Sequence, residues 1–303
     1  MPDAATVSSN TRSSTPARPD VAAAFARDGF WVERGAFTAA EVDALRDEAV
    51  AIACGERGAI AGSEPRTAGE SADDVMRRTL CLHFPHKVSP RIAATLAHPR
   101  IVELLTSVIG PDVKAMQSML FIKAAGKPGQ AWHQDEDFIP TRDRSLTGAW
   151  IALDDATVEN GCLWMIPGSH RPGVLWPQEV QDDRSFDCSA VSTGFPYTDG
   201  DAVPVEVAAG SVVVFNGYTL HRSLPNVATS GYRRALVHHY MSASSLLPWH
   251  PPAPGVGMAV ADCRDVVLVA GSDPYAYKGT EDLHRPHVRP SGEGGCGDPA
   301  KNL

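Results

Sequence analysis

Residues 146–166 read LTGAWIALDDATVENGCLWMI, and this stretch carries the pattern that decides the fold. Two short apolar runs, 146–153 and 162–166, flank a polar segment that contains Asp, Asn and Gly. Runs this short are typical of strands, and the residues between them are typical of turns. The stretch therefore predicts two β-strands joined by a loop.

The same alternation of short apolar runs and turn residues continues in both directions along the chain. Further strand-like runs alternate with Gly and Pro turns, at residues 113–124, 203–207, 211–215 and 235–241. Many short strands with regular turn signals indicate an all-β sandwich or barrel. We therefore predict a β core at about residues 111–245.

Helical signals come before this core. Asp20 is a candidate cap for a short helix that ends at Gly29, and Thr38 with Glu41 forms a capping box. Pro99 opens a third amphipathic segment. We predict a mainly β protein with flanking α-helices: a double-stranded β-helix, or jelly-roll (cupin-like) core, braced by N-terminal helices. It would form one domain over residues 20–290, with a disordered tail at 1–19 and a loose tail at 291–303.

Composition excludes several classes of protein. The 303 residues carry 27 Lys plus Arg against 36 Asp plus Glu, a formal charge of −9, without a basic stripe. Nucleic acid is therefore not an expected partner. No apolar run reaches the roughly 18 residues of a membrane span, and no signal peptide is recognisable. The six cysteines are scattered without a CxxC pair, which is typical of a reduced, cytoplasmic protein.

The segment Trp132-His133-Gln134-Asp135 carries the strongest chemical signal. Residues two apart on an extended strand point to the same side, so His133 and Asp135 can reach one metal ion. His221, which follows a predicted strand, is the best candidate for a third ligand. Two imidazoles and one carboxylate describe the facial triad of non-haem Fe(II) oxygenases, although other metals accept the same ligands.

An arginine pair adds a second signal. If 2-oxoglutarate chelated the iron, its far carboxylate would need a cation, and the fork of Arg suits a carboxylate best. Arg233 and Arg234 follow His221 across a turn and enter a predicted strand. Adjacent strand residues face opposite sides, so one of the two is expected to enter the barrel.

At these residues the sequence resembles the phytanoyl-CoA dioxygenase (PhyH) family of Fe(II)/2-oxoglutarate oxygenases. The resemblance rests on residues 132–135, on residues 160–170 (NGCLWMIPGSH), and on His221-Arg222-Ser223 with residues 232–235. It implies Fe(II), 2-oxoglutarate and O₂ as cofactors and cosubstrates. It also implies functional residues: iron ligands His133, Asp135 and His221, an Arg233 clamp for the C5 carboxylate, and cosubstrate contacts Ser223, Trp150 and Met119.

Five further positions attract attention. Gln117 shares the strand face of Met119 and is expected to contact a ligand, and His83 is a candidate contact at the barrel mouth. Of the adjacent His238 and His239, at most one faces the barrel, and a packed or surface position is expected rather than a ligand. Arg222 replaces the glycine usual in the family and would narrow the site or contact an acidic substrate.

The resemblance implies hydroxylation of an unactivated C–H bond of a small molecule, with release of succinate and CO₂. Asp135 occupies the place where related halogenases leave room for halide, so halogenation is disfavoured, whereas desaturation and ring closure stay open. Two alternatives stay open as well: a cupin-type iron dioxygenase without 2-oxoglutarate, and a non-catalytic jelly-roll binding protein. The substrate (acyl-CoA, amino acid or secondary metabolite) and the oligomeric state are not specified by the sequence.

Overall fold

The computed structural model describes residues 18–64, 66–187, 190–249 and 261–290. Most of the predicted N-terminal tail, residues 1–17, and the whole predicted C-terminal tail, 291–303, lie outside the described residues. Residue 19 belongs to the first helix rather than to the tail. Pro19 opens that helix because a first-turn position needs no backbone N–H.

The α-helices precede the first long strand, with one exception that begins two residues after His133. The capping box of Thr38 and Glu41 forms at the start of the second helix as predicted. In the described residues the α-helices are α1 (Pro19–Asp28), α2 (Ala39–Ala53), α3 (Ala72–Arg78), α4 (Pro90–Thr95), α5 (Pro99–Val108) and α6 (Asp135–Phe138).

The strands are mostly short, and the predicted run 113–124 coincides with the longest of them. The described strands are β1 (Phe30–Glu33), β2 (Thr79–His83), β3 (Val113–Ala124), β4 (Gln130–His133), β5 (Thr147–Ala152), β6 (Leu163–Met165), β7 (Gln178–Val180), β8 (Ala190–Ser192), β9 (Val203–Val205), β10 (Val212–Asn216), β11 (His221–Ser223), β12 (Tyr232–Ser242), β13 (Val267–Ala270) and β14 (His287–Pro290).

Two antiparallel sheets form the core. The large sheet has the order β1-β10-β5-β12-β3-β2-β14, with β13 also paired to β3. The small sheet has the order β4-β11-β6-β9, and β7 and β8 form a separate hairpin. The sheets face each other, since Lys123 on the large sheet donates to Ser223 Oγ on the small sheet at 2.9 Å. The space between these sheets is the barrel interior.

Side-chain alternation gives the large sheet two different faces. On β12, Leu236 and Tyr240 pack with the helices in one core cluster, whereas Ala235 and Val237 belong to a second cluster inside the barrel. The same division separates Ile151 from Trp150 on β5. This period of two follows from the pleat of a strand. Up to the bulge after His239, the odd-numbered residues of β12 therefore line the interior. Their partners on β3 line it as well, namely Gln117, Met119, Phe121 and Lys123.

The chain after the predicted core adds the strands β13 and β14, which were not predicted. β14 pairs with β2 at the edge of the large sheet and sets His287 opposite His83. No helix in the described part of the chain has the length and apolar content needed to cross a bilayer.

Candidate metal centre

Three side chains of the small sheet and its adjoining turn converge at one point. His133 ends β4 and His221 begins β11, and the two residues are direct partners in the antiparallel ladder. Asp135 begins α6, immediately after the strand that carries His133. The structure thus brings together the three residues that the sequence singled out as metal ligands.

The ligand atoms face one another. Nε2 of His133 and Nε2 of His221 each lie 3.6 Å from Asp135 Oδ1. The three ligand atoms lie within 4.8 Å of one another. The Nδ1 atoms point away and donate to backbone carbonyls, those of Ala131 at 2.8 Å and Thr219 at 3.0 Å. These bonds place the proton on Nδ1, so that both Nε2 atoms present a lone pair to the centre.

Neighbouring polar groups hold the ligands in position. The Gln134 side chain, between the two ligands of the motif, donates to the carbonyls of Val174 and Tyr218 at 3.0 and 2.8 Å. Ser169, from the PGSH turn, accepts from the backbone N–H of Leu220 at 2.9 Å, next to His221. Because the Gln134 and Ser169 side chains are buried, these bonds restrict the movement of the backbone that carries the ligands.

The electrostatics give two of the ligands, His133 and Asp135, the charge that a metal requires. Burial lowers the pKa of His133 to about 4, so its imidazole is neutral at neutral pH. Burial alone would raise the pKa of Asp135, but the nearby imidazoles of His221, His239 and His133 outweigh it and lower that pKa. Asp135 is therefore a carboxylate.

These residues fit a divalent ion. Atoms that bind an ion at right angles from about 2.1 Å lie about 3.0 Å apart, so movements of less than an ångström convert the observed spacing into ligation. Imidazole nitrogen and carboxylate oxygen suit iron, and one face of an octahedron would hold all three.

The adjacent arginines point to opposite sides of β12. Arg234 faces outward and forms a bidentate pair with Asp154, both bonds at 2.8 Å. Arg233 faces the interior, is 2% exposed, and donates from Nε to the Gly161 carbonyl at 3.1 Å. Its guanidinium carbon lies 5.5 Å from the centre of the Trp150 ring. Arg233 is thus the member of the pair that could bind a ligand inside the barrel.

A second buried cation lies beside Arg233. Lys123 is its direct partner on β3, and Lys123 Nζ donates to Ser223 Oγ and to the Leu224 carbonyl at 2.9 and 2.7 Å. Burial lowers the pKa of both cations, that of Arg233 to about 10. Within the described residues, no ion pair joins either cation to a carboxylate at 4.0 Å or less.

Gly161 allows these cations to approach. Its φ is +82°, and a β-carbon there would lie 2.3 Å from the Leu224 carbonyl and 2.9 Å from Lys123 Nζ. Only glycine fits this conformation and this space. The NGCL turn identified in the sequence therefore supplies both a carbonyl acceptor for Arg233 and room for Lys123.

The other predicted contacts line the same interior. Trp150 and Met119 flank Val237 on neighbouring strands. His83 lies opposite Met119, and its ring stacks on that of His287 with 4.5 Å between centroids. Gln117 lies opposite His239, and its buried Oε1 has no hydrogen-bond partner among the described residues.

Sequence reasoning missed one contact and misjudged one residue. His239 is packed and is not one of the three clustered ligands, as expected, but it also faces the candidate metal centre, where its Nε2 lies 3.0 Å from Asp135 Oδ2. Counting in twos from Arg233 would have placed it in the interior. Arg222 was expected to narrow the site, but it points away from it. Its guanidinium carbon lies 4.5 Å from the centre of the Trp132 ring, and the group pairs with Asp199 at 3.1 Å.

Lys123 is a further functional candidate, and it was not proposed from the sequence. Its position in the sequence could have indicated that it faces the interior, because Lys123 lies two residues after Phe121 on the strand face that carries Met119.

A jelly roll that holds two imidazoles and one carboxylate is the architecture of the non-haem Fe(II)/2-oxoglutarate oxygenases. The family model for phytanoyl-CoA dioxygenase (PhyH) matches residues 25–235, so the chain belongs to that family. The resemblance recognised in the sequence is therefore confirmed.

Curated relatives match over a shorter range. Phytanoyl-CoA dioxygenase of Arabidopsis thaliana is 32% identical over 157 residues, which cover 52% of this chain and 54% of the relative. The chain thus spans about half the length of the curated relatives it matches.

Solved structures support the fold. The non-haem monooxygenase ThoJ, without ligand, aligns with a TM-score of 0.62 and 24% identity, covering 84% of this chain and 85% of the other. EctD from S. alaskensis, solved with 2-oxoglutarate and 5-hydroxyectoine, aligns with a TM-score of 0.57 and 23% identity over 78% and 81%. Identities this low establish the shared fold alone, and the predicted cupin-like jelly roll is confirmed.

Proposed function

We propose that this protein is an Fe(II)- and 2-oxoglutarate-dependent dioxygenase that hydroxylates an unactivated C–H bond of a small-molecule metabolite. Bound iron would couple loss of CO₂ from 2-oxoglutarate to transfer of one O₂ oxygen into the substrate, with succinate as coproduct. One observation carries the proposal. Arg233 and Lys123, two buried cations that have no carboxylate partner among the described residues, face the same interior as the His133–Asp135–His221 cluster.

Two groups of residues would bind the iron and the far carboxylate of 2-oxoglutarate at opposite ends of one pocket. His133, Asp135 and His221 would hold the iron, because their lone pairs already face a common point. Arg233 would bind the far carboxylate of 2-oxoglutarate. Ser223 lies two residues beyond His221, about 7 Å along the strand, and supports this end through Lys123.

An anion at the cationic end would remove an electrostatic cost. Burying a cation is unfavourable unless an opposite charge lies beside it. The nearby acid Asp187 is already paired with Arg289 at 2.7 Å. A dicarboxylate ligand would therefore neutralise charge that the described part of the chain leaves uncompensated.

The remaining interior positions suit cosubstrate and substrate contacts. Trp150 and Met119 would pack against the carbon chain of 2-oxoglutarate, because both flank Val237 on the interior face. We assign Gln117 and His83 to the side of the substrate, since both line the interior towards the β2–β14 edge of the sheet. The scattered cysteines support a reduced, cytoplasmic location.

The test is anaerobic addition of Fe(II) and 2-oxoglutarate to the full chain. We expect a visible charge-transfer band from the chelated keto acid in the wild-type protein and in Arg234→Met, but not in Arg233→Met. Metal binding without the band would contradict the proposal and favour a cupin-type enzyme, which needs no cationic pocket. Absence of metal binding would favour a binding protein.

Product analysis tests the reaction type. A succinate-release screen against a metabolite library, followed by mass spectrometry, should give a product that gains one oxygen atom. A product that only loses two hydrogen atoms would show desaturation or ring closure instead.

A further inference from the structure

His239 forms a contact that nothing in the metal-binding motif requires. Its Nε2 lies 3.0 Å from Asp135 Oδ2, and the imidazole is 3% exposed. A carboxylate can only accept a hydrogen bond, so Nε2–H of His239 is the donor. The two oxygens of Asp135 thus have different partners. Oδ1 faces the two metal-site imidazoles, and Oδ2 faces His239.

We infer that His239 is a positioning residue that keeps Asp135 a one-oxygen ligand. This inference rests on the proposed function. A facial triad must leave three positions of an octahedral ion open, two for the keto acid and one for O₂. If Oδ2 also bound the ion, one of these positions would be lost. The carboxylate would have to rotate to bring Oδ2 to the ion, and a hydrogen bond of 3.0 Å to Oδ2 opposes that rotation.

The backbone around His239 makes it a rigid support. β12 is an interior strand of the large sheet, where His239 is paired with Gly148 on one side and Gln117 on the other. Gly148 brings no side chain, and a β-carbon at that position would lie 2.4 Å from the Phe215 ring. His239 reaches Asp135 from this fixed position, so it links the large sheet to the start of α6, beside the small sheet, at the metal centre.

The neighbouring histidine provides a matched control. His238 is equally buried but points to the helical layer, where its Nε2 lies 2.7 Å from Thr95 Oγ1. Loss of either imidazole removes a buried ring and one hydrogen bond. Only the loss of His239 changes the hydrogen bonding of a metal ligand.

The experiment measures Co(II) binding to the full chain by calorimetry, with Co(II) alone as the probe. Removal of a partner of a metal ligand typically weakens metal affinity by about 10–100-fold. We expect this loss in His239→Leu, together with a changed Co(II) absorption spectrum. His239→Gln should recover most of the affinity, because its amide N–H can occupy the place of Nε2–H. His238→Leu should lower the melting temperature and leave the Co(II) affinity unchanged.

The outcomes separate this inference from the proposed function. A folded His239→Leu that binds Co(II) as tightly as wild type, or a His238→Leu that loses as much affinity, would overturn the role of His239 alone. Failure of the wild-type protein to bind Co(II) would overturn both. If His239→Leu does not fold, His239→Gln is compared with His239→Asn, whose shorter amide cannot reach Asp135. Equal Co(II) affinities in that pair would again overturn the inference.

Discussion

Replacement of Arg233 with Met should separate 2-oxoglutarate binding from stability. The side chain is 2% exposed, and in the described residues no carboxylate pairs with it. Breaking a buried ion pair by removing one partner costs about 3–5 kcal/mol. At about 1.4 kcal/mol per tenfold, the Kd for 2-oxoglutarate should rise by roughly two to three and a half orders of magnitude.

The same substitution should not destabilise the protein without ligand. Burial lowers the pKa of Arg233 from 12.5 to about 10, which corresponds to a cost of the order of 3 kcal/mol for burying the charge. Met removes that charge and forfeits one hydrogen bond to Gly161. We therefore expect a melting temperature equal to or above that of wild type, measured without 2-oxoglutarate.

The assay is calorimetric titration of 2-oxoglutarate into Mn(II)-loaded protein. Arg234→Met is the matched control, because it removes the same group from the opposite face and breaks the pair with Asp154. It should lower the melting temperature and leave the Kd unchanged. A Kd for Arg233→Met within about tenfold of wild type, 1.4 kcal/mol, would refute the assignment of the carboxylate clamp.

Three further predictions follow from the site and its surroundings. Asp135→Ala should abolish succinate release and weaken Mn(II) binding, and full activity with bound metal would contradict its role as a ligand. Lys123→Met should raise the Kd for 2-oxoglutarate. Because the two cations are neighbours, the free-energy effects of Lys123→Met and Arg233→Met should not add in the double mutant. Strict additivity would count against binding of one anion by both residues. Burial lowers the pKa of His86 to about 4, so the unfolded state binds a proton at this residue more readily than the native state does. The free energy of unfolding should therefore fall as the pH drops from 6.5 towards 4, by up to about 1.4 kcal/mol per pH unit for this group. Urea unfolding at several pH values should show a shallower dependence in His86→Gln, and an unchanged slope would exclude this contribution.

The sequence predicted the core strands because their pattern is local. The run 113–124 coincides with β3, and the run 146–153 differs from β5 by one residue at each end. The strands β13 and β14 were not predicted. β13 is the short apolar run Val267–Ala270, which was overlooked within a Pro- and Gly-rich segment, whereas β14 is polar and owes its conformation to pairing with β2. Such strands depend on tertiary context more than on intrinsic preference.

The site was predicted in part for a similar reason. His133, Asp135 and His221 belong to recognisable motifs, and the structure brings them together. Lys123 was not proposed because a lysine in a strand is usually exposed. Its burial depends on Ser223 and the Leu224 carbonyl, which lie about 100 residues further along the chain. The contact of His239 with Asp135 also needs the relative position of two sheets, which no local pattern encodes.

The strand β12 contains two doublets, Arg233-Arg234 and His238-His239, and one member of each doublet faces the barrel. A slip of one residue would turn Arg234 and His238 inward instead, but these two lie four residues apart, whereas Arg233 and His239 lie six apart. An arginine and a histidine would still enter the barrel, but they could not both occupy their native positions. The apolar residues between the doublets oppose the slip as well, because Leu236 fits the helical layer and Val237 fits the interior. Substitutions that equalise these two faces would therefore be expected to disorder the site without altering any of its polar groups.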